Sequence, residues 1–563
     1  MEKIWLKNYP DGVPAEINID DYASLAELFN QSCEQFAGST AYISMGRSLS
    51  YAQLHDAACR FAAWLQANGA TRGTRVALMM PNVLQYPVAL FGTLLAGCVV
   101  VNCNPLYTAR ELEHQLKDAE AEFVVVVENF AHTLEAAQPA LPMLKHVIVA
   151  TLGDMLGALK GTVLNLIVRH IKKMVPAWSL PGHVSFAQIM KRAKASDFTP
   201  VSLNHSDMAF LQYTGGTTGV AKGAVLTHGN LVANLCQAHA WIKPYVKANG
   251  RDFIVTALPL YHIFALTANC LTFIRLGATN LLILNPRDIP AFIKELRKYP
   301  FTAFTGVNTL FNALMNNPAF MSVSFDSLNL TLGGGMAVQR PVAERWQQIT
   351  GKPLTQAYGL TETSPAVTIN PLDLKTFNGA IGLPVPSTEI SFRNDAGEEL
   401  GINETGELCV KGPQVMREYW KRESETQKAF EPDGFLRTGD MGYIDEEGYI
   451  YLVDRKKELI IVSGFNVYPS EIEEVVASHP GVNEVAAIGS DNGAAGEVVK
   501  IVVVRKDPSL TEQALIDFCR KELTGYKVPK IVEFRDELPK SAVGKILKRE
   551  LKDRPKKSEG VVR

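Results

Sequence analysis

Apolar and polar positions follow one pattern through most of the chain and another near its end. Between residues 75 and 127 the runs Arg75-Val-Ala-Leu-Met-Met, Cys98-Val-Val-Val-Asn and Glu122-Phe-Val-Val-Val-Val are continuous and apolar. Helix-like stretches after Pro81 and from Ala109 separate them. Continuous runs of this kind predict strands buried on both faces, joined by crossover helices in a parallel sheet. The same alternation resumes over 253–333, where Phe253-Ile-Val-Thr-Ala-Leu and Asn280-Leu-Leu-Ile-Leu flank another helix-length segment. From about residue 380 the segments become short and rich in Gly and Asp, such as Gly406-Glu-Leu-Cys-Val-Lys-Gly and Gly448-Tyr-Ile-Tyr-Leu-Val, which predicts a smaller β-rich subdomain. Beyond the charged segment Asp454-Arg-Lys-Lys a different unit is expected. It has a helix beginning near Pro469, strands over 485–489 and 498–504, and a helix near 511–523. The expected fold class is α/β: a large layered α/β body with a small β-rich subdomain over 1–454, then a small α+β domain over 458–563. No internal repeat is visible.

Composition adds exclusions. At 563 residues the chain needs several folding units, and its 47% hydrophobic and 20% charged residues are those of a globular protein. Lys and Arg number 56 against 58 Asp and Glu, a formal charge of −2, so no global field favours nucleic acid. The cysteines lie in apolar stretches without metal-ligand spacing and read as buried thiols. The N-terminus lacks the apolar core of a signal peptide, and no uncharged apolar run of about 18 residues occurs, so the expected location is cytoplasmic. Met155 to Trp178 mixes Leu156, Leu159, Val163, Leu166, Ile167 and Met174 with Lys160, Arg169, Lys172 and Lys173. That segment is an interfacial helix for a membrane surface or an ordinary helix docked on the body, since both need this spacing.

The most informative segment for chemistry is Tyr213-Thr-Gly-Gly-Thr-Thr-Gly-Val-Ala-Lys-Gly-Ala224. Its glycines allow close backbone approach, and its hydroxyls with Lys222 supply donors for phosphate oxygens. Gly223 follows the lysine where the common P-loop has Ser or Thr, so this is a different phosphate loop.

Further segments follow in order: Leu258-Pro-Leu-Tyr-His-Ile-Phe, Gly333-Gly-Gly, Gln356-Ala-Tyr-Gly-Leu-Thr-Glu362, Gly434-Phe-Leu-Arg-Thr-Gly-Asp440, Asp454-Arg-Lys-Lys-Glu-Leu-Ile and Pro539-Lys-Ser-Ala-Val-Gly-Lys545. Together with the loop they resemble the adenylate-forming enzymes, which include acyl-CoA synthetases, luciferases and peptide-synthetase adenylation domains. The resemblance runs from about residue 25 to 550 and is nearest to bacterial long-chain fatty acid:CoA ligases. It implies a large N-terminal AMP-binding and acyl-binding body over 1–454, a hinge over 455–457 and a mobile C-terminal lid over 458–563.

By that resemblance Lys545, Glu362 and Thr214 form the catalytic set, and Glu362 ligates Mg²⁺. The nucleotide set is Tyr213, Thr214, Gly215, Gly216, Thr217, Thr218, Gly219, Lys222, Gly333, Gly334, Gly335, Tyr358, Gly359, Thr361, Glu362, Asp440 and Arg455. Residue chemistry agrees with these roles. A carboxylate suits a hard cation, an aromatic face suits adenine, Asp440 can accept two ribose hydroxyls, and Arg455 keeps its charge. Taken alone, Asp440 and Arg455 could equally be an ion pair between domains. His262, Leu266, Val307, Gly335 and Met336 are expected along the acyl pocket, and a lone histidine such as His262 could be a core residue. Ser463, Gly464 and Phe465 would line the coenzyme A tunnel after the lid turns about Lys457. Lys548, Arg549 and Lys552 read as a solvated basic tail around Lys545.

The reaction implied is ATP-dependent ligation of a fatty acid to coenzyme A through an acyl-adenylate, with ATP, Mg²⁺ and coenzyme A as cofactors and co-substrates. Medium-chain or aryl acids are alternative substrates. Loading of a carrier protein and a non-catalytic nucleotide-binding module are alternatives of other classes. Beyond the substrates, the inner face of the cytoplasmic membrane and a second copy of the chain could be partners, and nucleic acid is not expected.

Overall fold

The computed structural model describes residues 2–214, 221–247, 251–462, 465–491 and 497–552. Among them two large sheets form the body. One runs, in spatial order, through Glu418–Tyr419, Lys222–Thr227, Met208–Thr214, Val99–Asn102, Arg75–Met79, Phe123–Val127, His146–Ala150 and Val184–Ser185. Its central pairs are parallel, as the uninterrupted valine runs require, since every residue of Phe123–Val127 is buried. The second sheet is centred on Phe253–Thr256, Ala303–Gly306 and Leu330–Gly333, again parallel. It continues into Thr355–Gly359, and Ala366–Ile369 then pairs antiparallel with that strand.

The Gln85–Leu95 helix is buried at every position, as expected of a helix apolar all round. It lies between the sheets, and polar bonds fix its entry. Asn82 donates to the Thr256 and Leu258 carbonyls, and Tyr86 donates to Asn102 Oδ1 and the Leu260 carbonyl. Capping boxes start the helices that leave the strands: Thr108 with Glu111 before Ala109–Asp118, and Thr227 with Asn230 before His228–Ile242.

A smaller antiparallel sheet of Glu389–Arg393, Gly406–Lys411, Leu436–Ile444 and Ile450–Arg455 follows. The C-terminal residues build a core of their own, with Ile460, Val467, Ile472, Val485, Ile501, Val503 and Leu515 among its members. Its elements are the hairpin Ile460–Val462 and Phe465–Val467, the helices Pro469–Ala477 and Glu512–Glu522, and a sheet of Val482–Asp491, Glu497–Arg505 and Ile531–Arg535.

The segment Met155–Trp178 is helical only over Ala158–Leu166 and the wider turn Ile167–Ile171. Gly161 packs its backbone on Gly153, Val168 is buried, and Arg169 pairs with Glu128, so one side is docked. Leu159, Val163, Leu166, Ile171 and Met174 stay exposed on the rest. One side of the segment is therefore docked on the body, and the other presents apolar side chains to solvent. No helix among the described residues is long and apolar enough to cross a membrane.

Candidate active site

Thr214 closes one strand and Lys222 opens the next, and the two are register partners. The loop they hold, with Gly215, Gly216, Thr217, Thr218 and Gly219, lies outside the described residues, as do Ser463 and Gly464. The side chain of Tyr213 points away from the loop into the core. Its hydroxyl donates to Asp118 Oδ2 at 2.8 Å, and burial raises its pKa. Tyr213 therefore braces the hairpin from below, and only its backbone is available to a nucleotide.

Lys222 pairs with Glu425 and stands 5.1 Å from the Tyr419 ring centroid. The Tyr419 hydroxyl in turn donates to Glu362 Oε1 at 2.7 Å. Burial and the neighbouring Glu362 carboxylate hold the Tyr419 pKa above its usual value. This tyrosine links the lysine to the glutamate, and the sequence reading missed it because its partner is 57 residues away. Glu362 is half-buried in the turn Thr361–Thr363. Its Oε2 takes no hydrogen bond among the described residues, a donor set that fits a hard cation shared with phosphate oxygens.

Tyr358, on Thr355–Gly359, donates to Asp440 Oδ2 at 2.5 Å. Asp440 Oδ1 pairs with Arg455 Nε at 3.1 Å, and Asp440 and Arg455 are register partners on adjacent strands. The ion pair is thus formed inside the small sheet, and it faces Tyr358. Burial works against the Arg455 charge, but Asp440, Tyr358, Glu458 and Glu362 together outweigh it and the arginine pKa ends above its ordinary value. Gly333 ends the strand Leu330–Gly333, and Gly334 and Gly359 line the same edge.

The Lys545 turn docks here. Gly544 donates to the Ser541 carbonyl at 2.9 Å, Ser541 donates to the Lys545 carbonyl at 2.8 Å, and Thr309 of the body donates from Oγ1 to the Gly544 carbonyl at 3.0 Å. Gly544 has φ +85°, and a Cβ there would meet Thr309 Oγ1 at 2.9 Å, so only glycine fits. The Lys545 side chain sinks among Arg455, Asp440 and His262. Burial, with Arg455 adding, lowers its pKa to about 8. His262, which accepts the Phe264 amide on Nδ1, is held near about 4 by burial and by Lys545, and is neutral at pH 7.

Leu266 and Val307 are buried, Met336 is half-buried, and Gly335 is exposed at φ +76°, where a Cβ would stand 3.7 Å from Val307. A Cβ on Gly544 would come within 3.2 Å of Val307. Val307 therefore lies beside both Gly335 and the lysine turn. Phe465 is exposed and stacks on Tyr526 at 4.8 Å. Lys457 is exposed in the turn after Arg455.

The basic tail is not uniformly solvated. Lys548 is enclosed by Glu473 at 2.9 Å and Glu458 at 3.4 Å, and its charge also senses Asp454, which together raise its pKa despite burial. Arg549 and Lys552 are exposed. Nothing in local sequence separates Lys548 from them, because its carboxylate partners lie 75 and 90 residues upstream.

The C-terminal unit thus brings the half-buried Lys545 to a cluster of Asp440, Arg455 and Tyr358, a set of groups suited to a phosphorylated sugar nucleotide. The AMP-binding enzyme family matches residues 29–420, and the AMP-binding enzyme C-terminal domain matches residues 471–545. The chain belongs to the AMP-binding enzyme family. A long-chain-fatty-acid–CoA ligase of Escherichia coli O6:H1 is 57% identical over 554 residues, 98% of each chain. The long-chain-fatty-acid–CoA ligase of Haemophilus influenzae is 50% identical over 555 residues, 98% of each. In fold, the anthranilate CoA ligase AuaEII in complex with anthranoyl-AMP matches with a TM-score of 0.84 at 23% identity, covering 95% of this chain and 98% of that one.

Proposed function

We propose that the chain ligates a long-chain fatty acid to coenzyme A in two steps at this one site. The fatty carboxylate attacks the α-phosphorus of ATP, the bond to the β-phosphate oxygen breaks, and pyrophosphate leaves. The coenzyme A thiolate then attacks the acyl carbonyl of the adenylate, and AMP leaves. Full-length identity to ligases with this substrate supports the reading. The observation that carries it is the Lys545 turn seated against Asp440, Arg455 and His262.

Each residue then has a task. Lys222 and Thr214 hold the outer phosphates, Tyr358 and Thr361 flank the adenine and α-phosphate, and Asp440 with Arg455 holds the ribose. The Lys545 ammonium offsets charge as the carboxylate attacks. Neutral His262 lets an anionic acyl head approach without binding it as a salt. Glu362 would hold Mg²⁺, which would neutralise phosphate charge there. The body over 1–454 and a lid beyond a hinge at 455–457 give the two steps separate poses, with Lys457 as pivot and the Phe465 hairpin later facing coenzyme A. Mass spectrometry after incubation with ATP, palmitate and either coenzyme A or a pantetheinylated carrier tests the reaction. Palmitoyl-CoA is expected, and a carrier thioester without it would overturn the proposal.

The exposed apolar face of Ala158–Ile171 with Lys172 and Lys173 supports a peripheral contact with an anionic membrane surface. Wild type is expected to partition onto anionic vesicles several-fold more than a Lys172→Glu/Lys173→Glu variant. Equal partitioning would count against the contact.

A further inference from the structure

The lid helix Pro469–Ala477 has no cap of its own. Its N-cap residue Tyr468 makes no side-chain capping bond, and Pro469 at the first position has no donor to satisfy. The next donor, the Ser470 amide, is satisfied from the other side of the turn that joins body and lid. Asp454 Oδ2 accepts it at 2.8 Å and accepts the Ser470 hydroxyl at 3.0 Å. Asp454 Oδ1 takes the Arg455 amide at 2.7 Å. Asp454 is 8% exposed, so water competes weakly for these bonds. It belongs to the strand Ile450–Arg455, where it is the register partner of Met441 in the body's small sheet. Ser470 belongs to the lid.

Several other hydrogen bonds and ion pairs across the same boundary are weaker in kind. Thr309 meets the Gly544 carbonyl, and Asn312 and Asn316 meet Asn483 at 3.2 and 3.0 Å, all between neutral groups. Arg340 and Glu474 stand 3.9 Å apart in solvent, a geometry of little worth. The Asp454 bonds are buried and charge-assisted, and they place a carboxylate at a helix N-terminus, where the dipole favours it. Lys548 adds positive charge near the same carboxylate.

We infer that Asp454 and Ser470 are a pose-selective latch. They hold the lid where Lys545 reaches the α-phosphate, and they must separate before the thioester step. The inference rests on the two-pose reading above. A rotation about Lys457 carries Ser470 away and leaves Asp454 behind, so the helix loses its cap and the carboxylate is rehydrated. The latch thus favours the adenylating pose before any ligand arrives.

The test measures the two half-reactions separately, together with tryptic cleavage after the exposed Lys457, in Asp454→Ala, Asp454→Asn and Ser470→Ala. Asp454→Ala is expected to slow pyrophosphate release from ATP and palmitate about fivefold to tenfold, the scale of losing a cap. Ser470→Ala, which leaves Arg455 and its neighbours untouched, should slow it about twofold to threefold, the scale of one hydrogen bond. Conversion of supplied palmitoyl-adenylate and coenzyme A to thioester should hold or rise, and trypsin should cut several-fold faster. Asp454→Asn and Ser470→Ala carry the test if Asp454→Ala does not fold. A fall of both half-reactions by one factor, or wild-type rates and cleavage in Ser470→Ala, would overturn the latch. Lys545→Ala run in parallel separates the two ideas. If it impairs both steps equally, the two-pose reading fails; if it is step-selective while the latch variants are not, the latch alone fails.

Discussion

Lys545 carries a conflict between stability and chemistry. Burial, with Arg455 beside it, lowers its pKa to about 8, against about 10.4 for a solvated lysine. Between those values the undocked or unfolded chain binds the proton more strongly, so docking strengthens as pH rises through that window, and below about 8 the penalty is full. Lys545→Met keeps the volume and removes the penalty. Its melting temperature should exceed wild type at pH 7, with the difference shrinking as pH approaches about 10. Pyrophosphate release should fall about a hundredfold or more, the scale of losing a positioned charge, while supplied acyl-adenylate and coenzyme A react nearly as before. In wild type the first half-reaction should decline as pH rises through about 8, because the ammonium is the active form. A Lys545→Met variant that melts lower than wild type at pH 7 would mean that the lysine is solvated in the resting enzyme.

Among elements, the Leu547–Leu551 segment shows what sequence could and could not disclose. Lys548, Arg549 and Lys552 look alike in a basic tail, yet Lys548 alone is enclosed by Glu458 and Glu473. Removing it leaves Glu473 buried without its cation, a costly state. Lys548→Ala is therefore expected to lower the lid's unfolding temperature and weaken both half-reactions, and Arg549→Ala to leave them near wild type. Thermal melts with the two half-reactions would check this, and a Lys548→Ala protein as stable as wild type would return the residue to the solvated tail. The lid strands were readable because Val482–Asp491 and Glu497–Arg505 carry dense apolar runs, whose burial is local information. The start of Pro469–Ala477 was readable from its proline. The end of the amphipathic segment was not, since a spacing that suits a helix to Trp178 says nothing of where docking stops at Ile171. Tyr419, Asp454 and Ser470 were invisible as partners, because each owes its role to a residue distant in sequence.

At the scale of the whole molecule, one site faces two chemistries, and the two-pose proposal makes the attachment of the C-terminal unit the point that separates them. Strand Ile450–Arg455 ends the body's small sheet, and the lid core begins at Ile460, so the chain between them carries any rotation. Lys456 is tied back, its amide to the Gly439 carbonyl at 3.1 Å and its ammonium to Asp395 at 2.7 Å and Glu407 at 3.3 Å. Glu458 is tied to the lid through Lys548. Lys457 lies between these two attachments, and we take it as the pivot of the proposed rotation. Lys457→Pro fixes φ near −65° there and restricts Lys456 as well. Pyrophosphate release, which needs only the docked pose, should stay within a few-fold of wild type. Thioester formation from supplied palmitoyl-adenylate should slow by tenfold or more, because the lid must turn to present the Phe465 hairpin. If turnover of supplied adenylate is unchanged, the pivot lies elsewhere. If instead pyrophosphate release is lost with it, the docked pose itself needs a φ at 457 that proline does not allow.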